Sequence, residues 1–242
     1  AVETAALALD LGADDVVAGA AGPEEIALRA RALLRRKAQA DRLRARLRSQ
    51  LEAALHDPLT GLHNRRHAEP ELRRLCADAR RARRPLALMV LDIDHFKGVN
   101  DRHGHAAGDR VLAEVARRLR SRLRAGDLLA RMGGEEFLVA LPDTDAGRAR
   151  VVAEGLRRAV EGWPFPLDEG DPAPQASAWP GPRRAAAARQ ARVTLSIGVA
   201  AASPDELGRG LSAAVLTDRA DAALYAAKSG GRNMVAVAAG AA

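Results

Sequence analysis

The sequence predicts an α/β fold of the α+β kind, in which a central, mostly antiparallel sheet is flanked by helices, as in ferredoxin-like and polymerase-palm domains. Strand patterns and amphipathic helix patterns alternate along the chain after residue 56. Gly133-Gly134 separates two apolar runs and indicates a hairpin, because a tight hairpin turn needs positive φ. The hairpin makes part of the sheet antiparallel, and a long helical pattern precedes the sheet as a linker.

The composition limits the possible classes of protein. The 242 residues are enough for one domain of common size plus additional elements. A formal net charge of +7 permits an anionic partner, but the arginines are spread along helices and aromatic residues make up only 2%, so nucleic-acid binding is disfavoured. Cys76 is the single cysteine, which fits a cytoplasmic protein, and no apolar run is long enough for membrane insertion.

The first 56 residues are mainly helical in pattern. We predict a short helix over residues 3–11, a short strand over residues 14–17, and a long helix that Pro23 opens and that ends at residue 55. An apolar stripe recurs every four residues near the end of the long helix, at Leu43, Leu47, Leu51 and Leu55. The stripe fits pairing with a helix of a second chain, and packing against the chain's own domain is an equal alternative.

The rest of the chain alternates between predicted strands and helices. Helices are predicted at residues 69–81, 106–123, 143–161 and 211–228. Strands are predicted at residues 86–92, 127–132, 135–141, 192–200 and 233–237, and the alternation within residues 192–200 predicts burial of one face only. Residues 170–190 are rich in proline, alanine and glycine, which predicts a long surface loop.

Two pairs of acidic residues lie at the ends of predicted strands. Asp92 and Asp94 end a buried strand, and they point to the same face if the strand stays regular. Glu135 and Glu136 follow the glycine hairpin, and strand pairing can bring that hairpin beside Asp92. Carboxylates at the end of an apolar strand are unfavourable unless they are solvated, paired or bound to a metal. The arrangement predicts Mg²⁺-assisted nucleotidyl transfer, and a solvated strand end is the alternative.

Several segments around these acids resemble blocks of the GGDEF family of diguanylate cyclases, in that family's order. They are DPLTGLHNRRH, LDIDHFKGVNDRHGHAAGD, RMGGEEF, VTLSIGVA and ADAALYAAKSGGRN. The match covers residues 57–235, interrupted by the proline-rich loop, with Glu in the third position of the signature. The resemblance implies an enzyme that condenses two GTP molecules into cyclic di-GMP and two pyrophosphates, with Mg²⁺ or Mn²⁺ as the metal.

The resemblance also implies roles for the matching residues. Asp92 and the Ile93 carbonyl match the family's metal ligands. Glu135 matches the acid that binds metal and is the proposed base for the 3′-hydroxyl, and Glu136 matches the neighbouring catalytic and metal-site acid. The positions implied for GTP binding are Lys97, Asn100, His105, Asp109, Leu112, Lys228 and Arg232.

Within that pocket, Asn100 and Asp109 match the pair that reads the guanine edge. A carboxylate accepts hydrogen bonds from guanine N1–H and the 2-amino group, and adenine presents neither donor there, so the pair argues against an ATP cyclase. Lys97, Lys228 and Arg232 match the cations near the triphosphate. Without the resemblance, Asn100 would be interpreted as part of a turn, Asp109 as a helix-capping residue and the three cations as surface charges.

A further motif precedes the hairpin. Arg124 and Asp127 form Arg-x-x-Asp, five residues before the glycine pair, where many of these cyclases bind their product and are inhibited. An arginine can bind a guanine Hoogsteen edge or a phosphate in a forked geometry. A surface ion pair is the alternative for such a short motif. Gly155 occupies the position at which some relatives have a second product-binding arginine, so a weaker or differently built site is expected.

The N-terminal part resembles the end of a receiver domain, as in response regulators in which a receiver precedes the cyclase domain. We predict a degenerate receiver remnant over residues 1–37, a helical linker over 38–56 and the cyclase domain over 57–242. A plain helical linker is the alternative for the first segment. Because each domain presents one half-site, the predicted cyclase is a two-fold homodimer. The alternative function is a catalytically weak receptor for cyclic di-GMP.

Overall fold

The computed structural model describes residues 6–7, 10–17, 21–162, 164–166 and 190–238, and for residues 45 and 47–53 it describes the backbone alone. Contacts divide the chain into two compact units, Ala1–Ala54 and Leu55–Ala242. Within the described part of the chain, none of the helices combines the length and the apolar character needed to cross a membrane.

The first unit is dominated by the long helix α1, Pro23–Leu55, which confirms the predicted helix and its proline start. The strand predicted for residues 14–17 is wrong, because that segment has no regular structure. Its Asp15 carboxylate instead accepts a hydrogen bond from the Val16 N–H at 2.9 Å and pairs with Arg29 at 3.2 Å. Most of the helix predicted at residues 3–11 lies outside the described residues.

The leucine stripe of α1 is only partly visible. Leu43 is 59% exposed and Leu55 is half-buried. The Leu47 and Leu51 side chains lie outside the described residues, so the proposed pairing surface stays a prediction.

The second unit contains a six-stranded mixed sheet. Its elements, in chain order, are β1 (His63–Asn64), α2 (Arg65–Ala82), β2 (Leu86–Ile93), α3 (Phe96–His103), α4 (His105–Arg120), β3 (Leu128–Gly133), β4 (Glu136–Pro142), α5 (Ala146–Glu161), β5 (Phe165–Pro166), β6 (Gln190–Ala191), β7 (Leu195–Ala202), α6 (Pro204–Gly208), α7 (Ala213–Ser229) and β8 (Val235–Val237). The strand order is β1-β3-β4-β2-β7-β8, with parallel pairing only at the two edges, and β5 pairs separately with β6. The predicted, mostly antiparallel sheet flanked by helices is confirmed.

Helices cover both faces of the sheet. Met89 and Leu91 of β2 pack on one side with α3, α4 and α5, and Leu88 and Val90 pack on the other with α2 and α7. The prediction that the strand near residues 192–200 is buried on one face only is therefore wrong, because β7 is buried on both faces. The alternation in β7 is between large and small side chains, and it does not separate a buried face from an exposed one.

Local capping explains where the predicted helices were misplaced. α2 begins at Arg65, four residues before the predicted start, because the Asn64 side chain accepts a hydrogen bond from the His67 N–H at 3.2 Å. Residues 96–103 form the separate helix α3, which the sequence pattern did not predict, and Gly104 at φ 85° divides it from α4.

The predicted loop at residues 170–190 lies outside the described residues except for Gln190, which belongs to β6.

Gly198 brings α7 into direct contact with the sheet. A Cβ atom at this position would lie 2.1 Å from the Ala220 carbonyl oxygen and 2.2 Å from the Leu224 nitrogen. Only a glycine in β7 permits this approach between helix and strand backbones. The close packing determines where the C-terminal end of α7, including Lys228, meets the central strands.

Candidate active site

The glycine hairpin lies beside the end of β2, as the sequence predicts. In the antiparallel pairing of β2 with β4, Asp92 lies opposite Glu136. The Ile93 N–H donates to the carbonyl oxygen of Glu135 at 3.3 Å. Gly133 and Gly134 have φ values of 145° and 52°, which confirms the turn that requires glycine. Acids from two distant segments therefore meet at one end of the central strands.

Asp92 is a buried carboxylate with a cationic partner. It is 6% exposed, and the Lys228 ammonium lies 2.8 Å from its Oδ2 atom. Burial raises the pKa of Asp92 above its ordinary value, Glu136 and Asp94 act in the same direction, and Lys228 opposes them without reversing the result. A buried carboxylate is unfavourable unless it is paired, and Lys228 supplies that pairing here.

Asp94 has a different role from Asp92. Its Oδ1 accepts from the Ser196 hydroxyl at 2.6 Å, and its Oδ2 accepts from the Thr194 hydroxyl at 2.7 Å and the Asn233 N–H at 3.0 Å. These donors occupy the carboxylate, so Asp94 joins β2, the start of β7 and the loop after α7. The sequence pattern alone did not distinguish it from a second cation-facing acid.

The candidate base-reading residues lie on two successive helices. Half-buried Asn100 belongs to α3, and exposed Asp109 lies in α4. A Cβ atom on Gly108 would lie 1.9 Å from the Asn100 Oδ1 atom, so the amide occupies the space that this glycine leaves free. His105 is exposed at the start of α4, and Leu112 is buried in the core. Their roles toward a nucleotide stay predictions.

The predicted triphosphate cations differ in their contacts. Lys228 contacts Asp92, whereas Lys97 on α3 and Arg232 after α7 are exposed and form no ion pair with any described residue. Arg232 lies in a segment with left-handed backbone, in which Gly231, Arg232 and Asn233 have φ values of 120°, 63° and 46°.

Residues 54–181 match the family model described as diguanylate cyclase, GGDEF domain. The chain belongs to the GGDEF family. Among curated proteins, Response regulator PleD of Caulobacter vibrioides is 40% identical over 228 residues, which are 94% of this chain and 46% of PleD. Diguanylate cyclase DgcP of Pseudomonas aeruginosa is 39% identical over 219 residues, which are 89% of this chain and 29% of DgcP. The chain spans less than half the length of these relatives.

Solved GGDEF structures share the fold. The coiled coil and GGDEF domain of DgcB from Caulobacter crescentus, solved with c-di-GMP, matches with a TM-score of 0.73 and 35% identity over 87% of this chain and 99% of that one. The active GGEEF domain of a diguanylate cyclase from Vibrio cholerae matches with a TM-score of 0.60 and 30% identity, covering 74% of this chain and 98% of that one.

The residues at the GGDEF hairpin fit a divalent cation shared with substrate. No group of three or more His, Cys, Asp or Glu side chains among the described residues is arranged to hold a metal ion. Asp92 and Glu136 nevertheless face each other across two strands, and half-buried Glu135 adjoins them at the turn. These are hard oxygen donors, and Mg²⁺ is usually bound by one or two carboxylates together with water and substrate phosphates. The donor chemistry therefore fits a site that the substrate completes.

The Arg-x-x-Asp motif of this GGDEF domain forms a turn before β3. The Asp127 N–H donates to the Arg124 carbonyl at 3.1 Å, and the Asp127 Oδ2 accepts from the Arg124 N–H at 2.9 Å. The Arg124 side chain is exposed. The motif is thus closed by backbone contacts of Arg124, and within the part of the chain that the structure describes the two side chains do not form the surface ion pair that was the alternative interpretation.

Sequence reasoning missed three residues close to the hairpin and the loop after α7. Arg131 binds both Asp57 and the Gly134 carbonyl, and Asn233 binds Asp94. On α7, burial and the nearby charge of Glu136 raise the pKa of Asp221. Asp221 and Lys228 are seven residues apart, which is about two helical turns. This spacing places them on the same face of a helix, and it was the signal by which Asp221 could have been found.

Proposed function

We propose that this chain is a diguanylate cyclase that condenses two GTP molecules into cyclic di-GMP and two pyrophosphates. The pairing of Asp92 with Glu136 carries the proposal, because it brings a buried carboxylate beside an intact GGEEF hairpin. The similarity to curated diguanylate cyclases supports the same reaction.

Asp92, the Ile93 carbonyl, Glu135 and Glu136 would hold Mg²⁺ or Mn²⁺, which when bound screens the triphosphate charge and acidifies the attacking hydroxyl. Glu135 accepts the proton of the 3′-hydroxyl at a carboxylate oxygen. The 3′-oxygen forms a bond to the α-phosphorus of the other GTP, and the bond from that phosphorus to the bridging oxygen breaks, so pyrophosphate leaves. The same step, repeated with the two nucleotides exchanged, closes the ring.

The remaining predicted residues bind and orient the nucleotide. Asn100 and Asp109 hold the guanine edge, with His105 and Leu112 beside the base. Lys97, Lys228 and Arg232 bind the phosphates through charge-assisted hydrogen bonds. Lys228, which contacts Asp92 at 2.8 Å, would share its ammonium group between that carboxylate and a phosphate oxygen of the substrate.

Catalysis requires two such domains, because one chain presents one nucleotide and one set of acids. We infer a two-fold homodimer in which the two GTP molecules face each other. Product bound by the exposed Arg124 side chain and by Asp127 would inhibit the enzyme. That DgcB was solved with c-di-GMP supports product binding in this family.

We also propose a domain assignment for the N-terminal segment. We infer a receiver remnant at residues 1–37, a linker at 38–56 and the cyclase domain at 57–242. The similarity to PleD, a response regulator, over 94% of this chain supports the assignment. The cytoplasmic location stays a prediction.

One experiment tests the function. Purified chain is incubated with GTP and Mg²⁺, pyrophosphate release is followed, and the nucleotide product is identified by mass. We expect cyclic di-GMP, and a loss of rate of about 100-fold or more for Glu135→Ala. Glu69→Ala, at an exposed position of α2, is the matched control and retains the wild-type rate. Binding of cyclic di-GMP without pyrophosphate release would instead make the chain a receptor.

A further inference from the structure

The segment after α7 is held in an unfavourable backbone conformation. Arg232 and Asn233 have φ values of 63° and 46°, in the left-handed region that arginine rarely adopts and that asparagine tolerates better than most residues. Such residues persist only when surrounding contacts over-determine them, and they concentrate at functional sites. Arg232 is also a predicted phosphate ligand. The contacts that hold this segment therefore affect the position of the Arg232 guanidinium.

Besides a hydrogen bond from the Arg232 N–H to the Ala227 carbonyl at 3.1 Å, these contacts are made by Asn233. Its N–H donates to the Asp94 Oδ2 at 3.0 Å, which ties the segment to the end of β2. Its side-chain oxygen accepts from the Arg157 Nη1 at 2.7 Å, and its amide nitrogen donates to the Glu161 Oε1 at 2.8 Å. Every hydrogen-bonding group of the amide side chain is thus directed at helix α5, which lies 72 to 76 positions away in the sequence.

Arg157 is the centre of this network. Its side chain is 13% exposed, its Nε donates to Glu154 at 3.0 Å, and its Nη1 donates to Glu161 at 2.7 Å. The neighbouring Arg158 offers a contrast, because its side chain is 74% exposed and its nearest carboxylate, on Glu154, lies 4.0 Å away. Two successive arginines of one helix therefore differ in whether they support the strained segment.

We propose that Arg157 is a positioning residue, which through Asn233 holds the left-handed segment so that Arg232 presents its guanidinium to the triphosphate of the substrate. The inference rests on the proposed function. Without the Arg157 contact the segment can relax to ordinary backbone conformations, and the Arg232 side chain then leaves its place. Affinity for the phosphates falls, while contacts to the base are unaffected.

Binding measurements on Arg157→Met and its matched control Arg158→Met test the proposal. The probes are guanosine α,β-methylene triphosphate, which cannot release pyrophosphate, and guanosine, which has no phosphates. We expect the Kd of Arg157→Met for the triphosphate to rise about tenfold, as for loss of one charge-assisted hydrogen bond, with an unchanged Kd for guanosine. Arg158→Met binds both probes like the wild type.

A second variant separates positioning from general damage to the fold. Asn233→Gly can still reach the left-handed conformation, but it also populates others freely and has no side chain through which Arg157 could select one. We expect the same loss of triphosphate affinity, and in turnover assays both variants raise KM for GTP about tenfold while kcat stays within about threefold of the wild type. A purely structural role would lower kcat through loss of folded enzyme and leave KM unchanged.

The outcomes distinguish this inference from the function on which it rests. If the wild type binds the triphosphate probe and both variants bind it equally well, the positioning role is refuted and the proposed function stands. Loss of guanosine affinity in parallel with triphosphate affinity also refutes it. A wild-type chain that binds no guanosine triphosphate overturns the proposed function and this inference together.

Discussion

The Arg131 guanidinium joins the Asp57 carboxylate to the carbonyl oxygen of Gly134. Its Nη1 lies 3.0 Å and 3.1 Å from the two Asp57 oxygens, and its Nε and Nη2 lie 3.0 Å and 2.8 Å from the Gly134 oxygen. Burial alone would raise the pKa of Asp57, but hydrogen bonds from Thr60 and Arg131 outweigh it and lower the pKa. One side chain thus connects the start of the second unit to the turn that carries Glu135.

Replacing Arg131 should affect both stability and turnover. Arg131→Met removes the donor of the Gly134 carbonyl and leaves the partly buried Asp57 carboxylate with only its hydrogen bonds from Thr60, so we expect a loss of about 2 kcal/mol in the free energy of unfolding. Because the hairpin turn is then less constrained, kcat should also fall. Urea unfolding and initial rates measure the two effects, and exposed Arg122→Met is the control. Wild-type stability in Arg131→Met would show that the connection is unimportant.

Gly108→Ala should separate base recognition from folding. The new Cβ would overlap the Asn100 Oδ1, which lies 1.9 Å from its position, so the Asn100 amide must leave its present place. Alanine is favoured over glycine in a helix interior by about 1 kcal/mol, which offsets the crowding. We expect near-normal thermal unfolding, a KM for GTP about tenfold higher, and weaker discrimination against ATP.

The control for that change is Gly155→Ala, since Gly155 is also inside a helix and has open space around its Cβ position. This variant should be as stable as the wild type or more so, with unchanged KM. If Gly108→Ala keeps wild-type KM and nucleotide preference, Asn100 does not read the base.

Gly198→Ala should disrupt the fold itself. Its Cβ would collide with backbone atoms of Ala220 and Leu224, which cannot move by rotating a side chain. We expect the free energy of unfolding to fall by about 3 kcal/mol or more, or the protein to be recovered unfolded. Circular dichroism during urea titration measures the change. Gly208→Ala, where nothing lies within 4 Å, should unfold like the wild type.

Arg124→Ala should relieve product inhibition without changing the uninhibited rate. The turn that holds Asp127 uses the backbone of Arg124, so the variant keeps its geometry and loses only the exposed guanidinium. We expect the inhibition constant for cyclic di-GMP to rise about tenfold or more. Initial rates at increasing cyclic di-GMP give the constant, and unchanged inhibition would place the product elsewhere.

Stability should depend on pH through His63. Its ring stacks on His67 at 3.8 Å and lies 4.6 Å from the His56 ring. Burial lowers the pKa of His63 from 6.5 to about 4, His67, His56 and Arg120 add to the effect, and Glu71 opposes it.

The sign of the effect follows from that depressed pKa. Between pH 6.5 and about 4 the unfolded chain binds a proton at this site that the folded chain does not, so stability falls as the pH is lowered through this window. His63→Phe keeps the stacked ring and removes the titration. Its free energy of unfolding should therefore fall less over the same range, and equal slopes for the two proteins would contradict the prediction.

Local signals were enough for much of the fold and for the centre of the site. The strand that ends at Asp92 was predictable because its own residues form an apolar run. The turn was predictable because Gly133 and Gly134 have the backbone freedom that a tight hairpin needs. A short hairpin restricts its own register, so Glu136 could be expected beside a central strand that ends in acid. The start of α2 was misplaced because the Asn64 cap was not recognised, and α3 was missed because it has only eight residues and no side-chain cap.

The sequence by itself determined the longer strands and helices after residue 56, the family and the acids at the hairpin. Only the tertiary structure decided that Asp94 holds a loop rather than facing a cation, that Lys228 pairs with Asp92, and which of two adjacent arginines on α5 supports Asn233. The physical reason is separation along the chain. The Asn233 contact with Asp94 spans 139 positions and the Arg131 contact with Asp57 spans 74, and such pairs form only when helices and strands have packed.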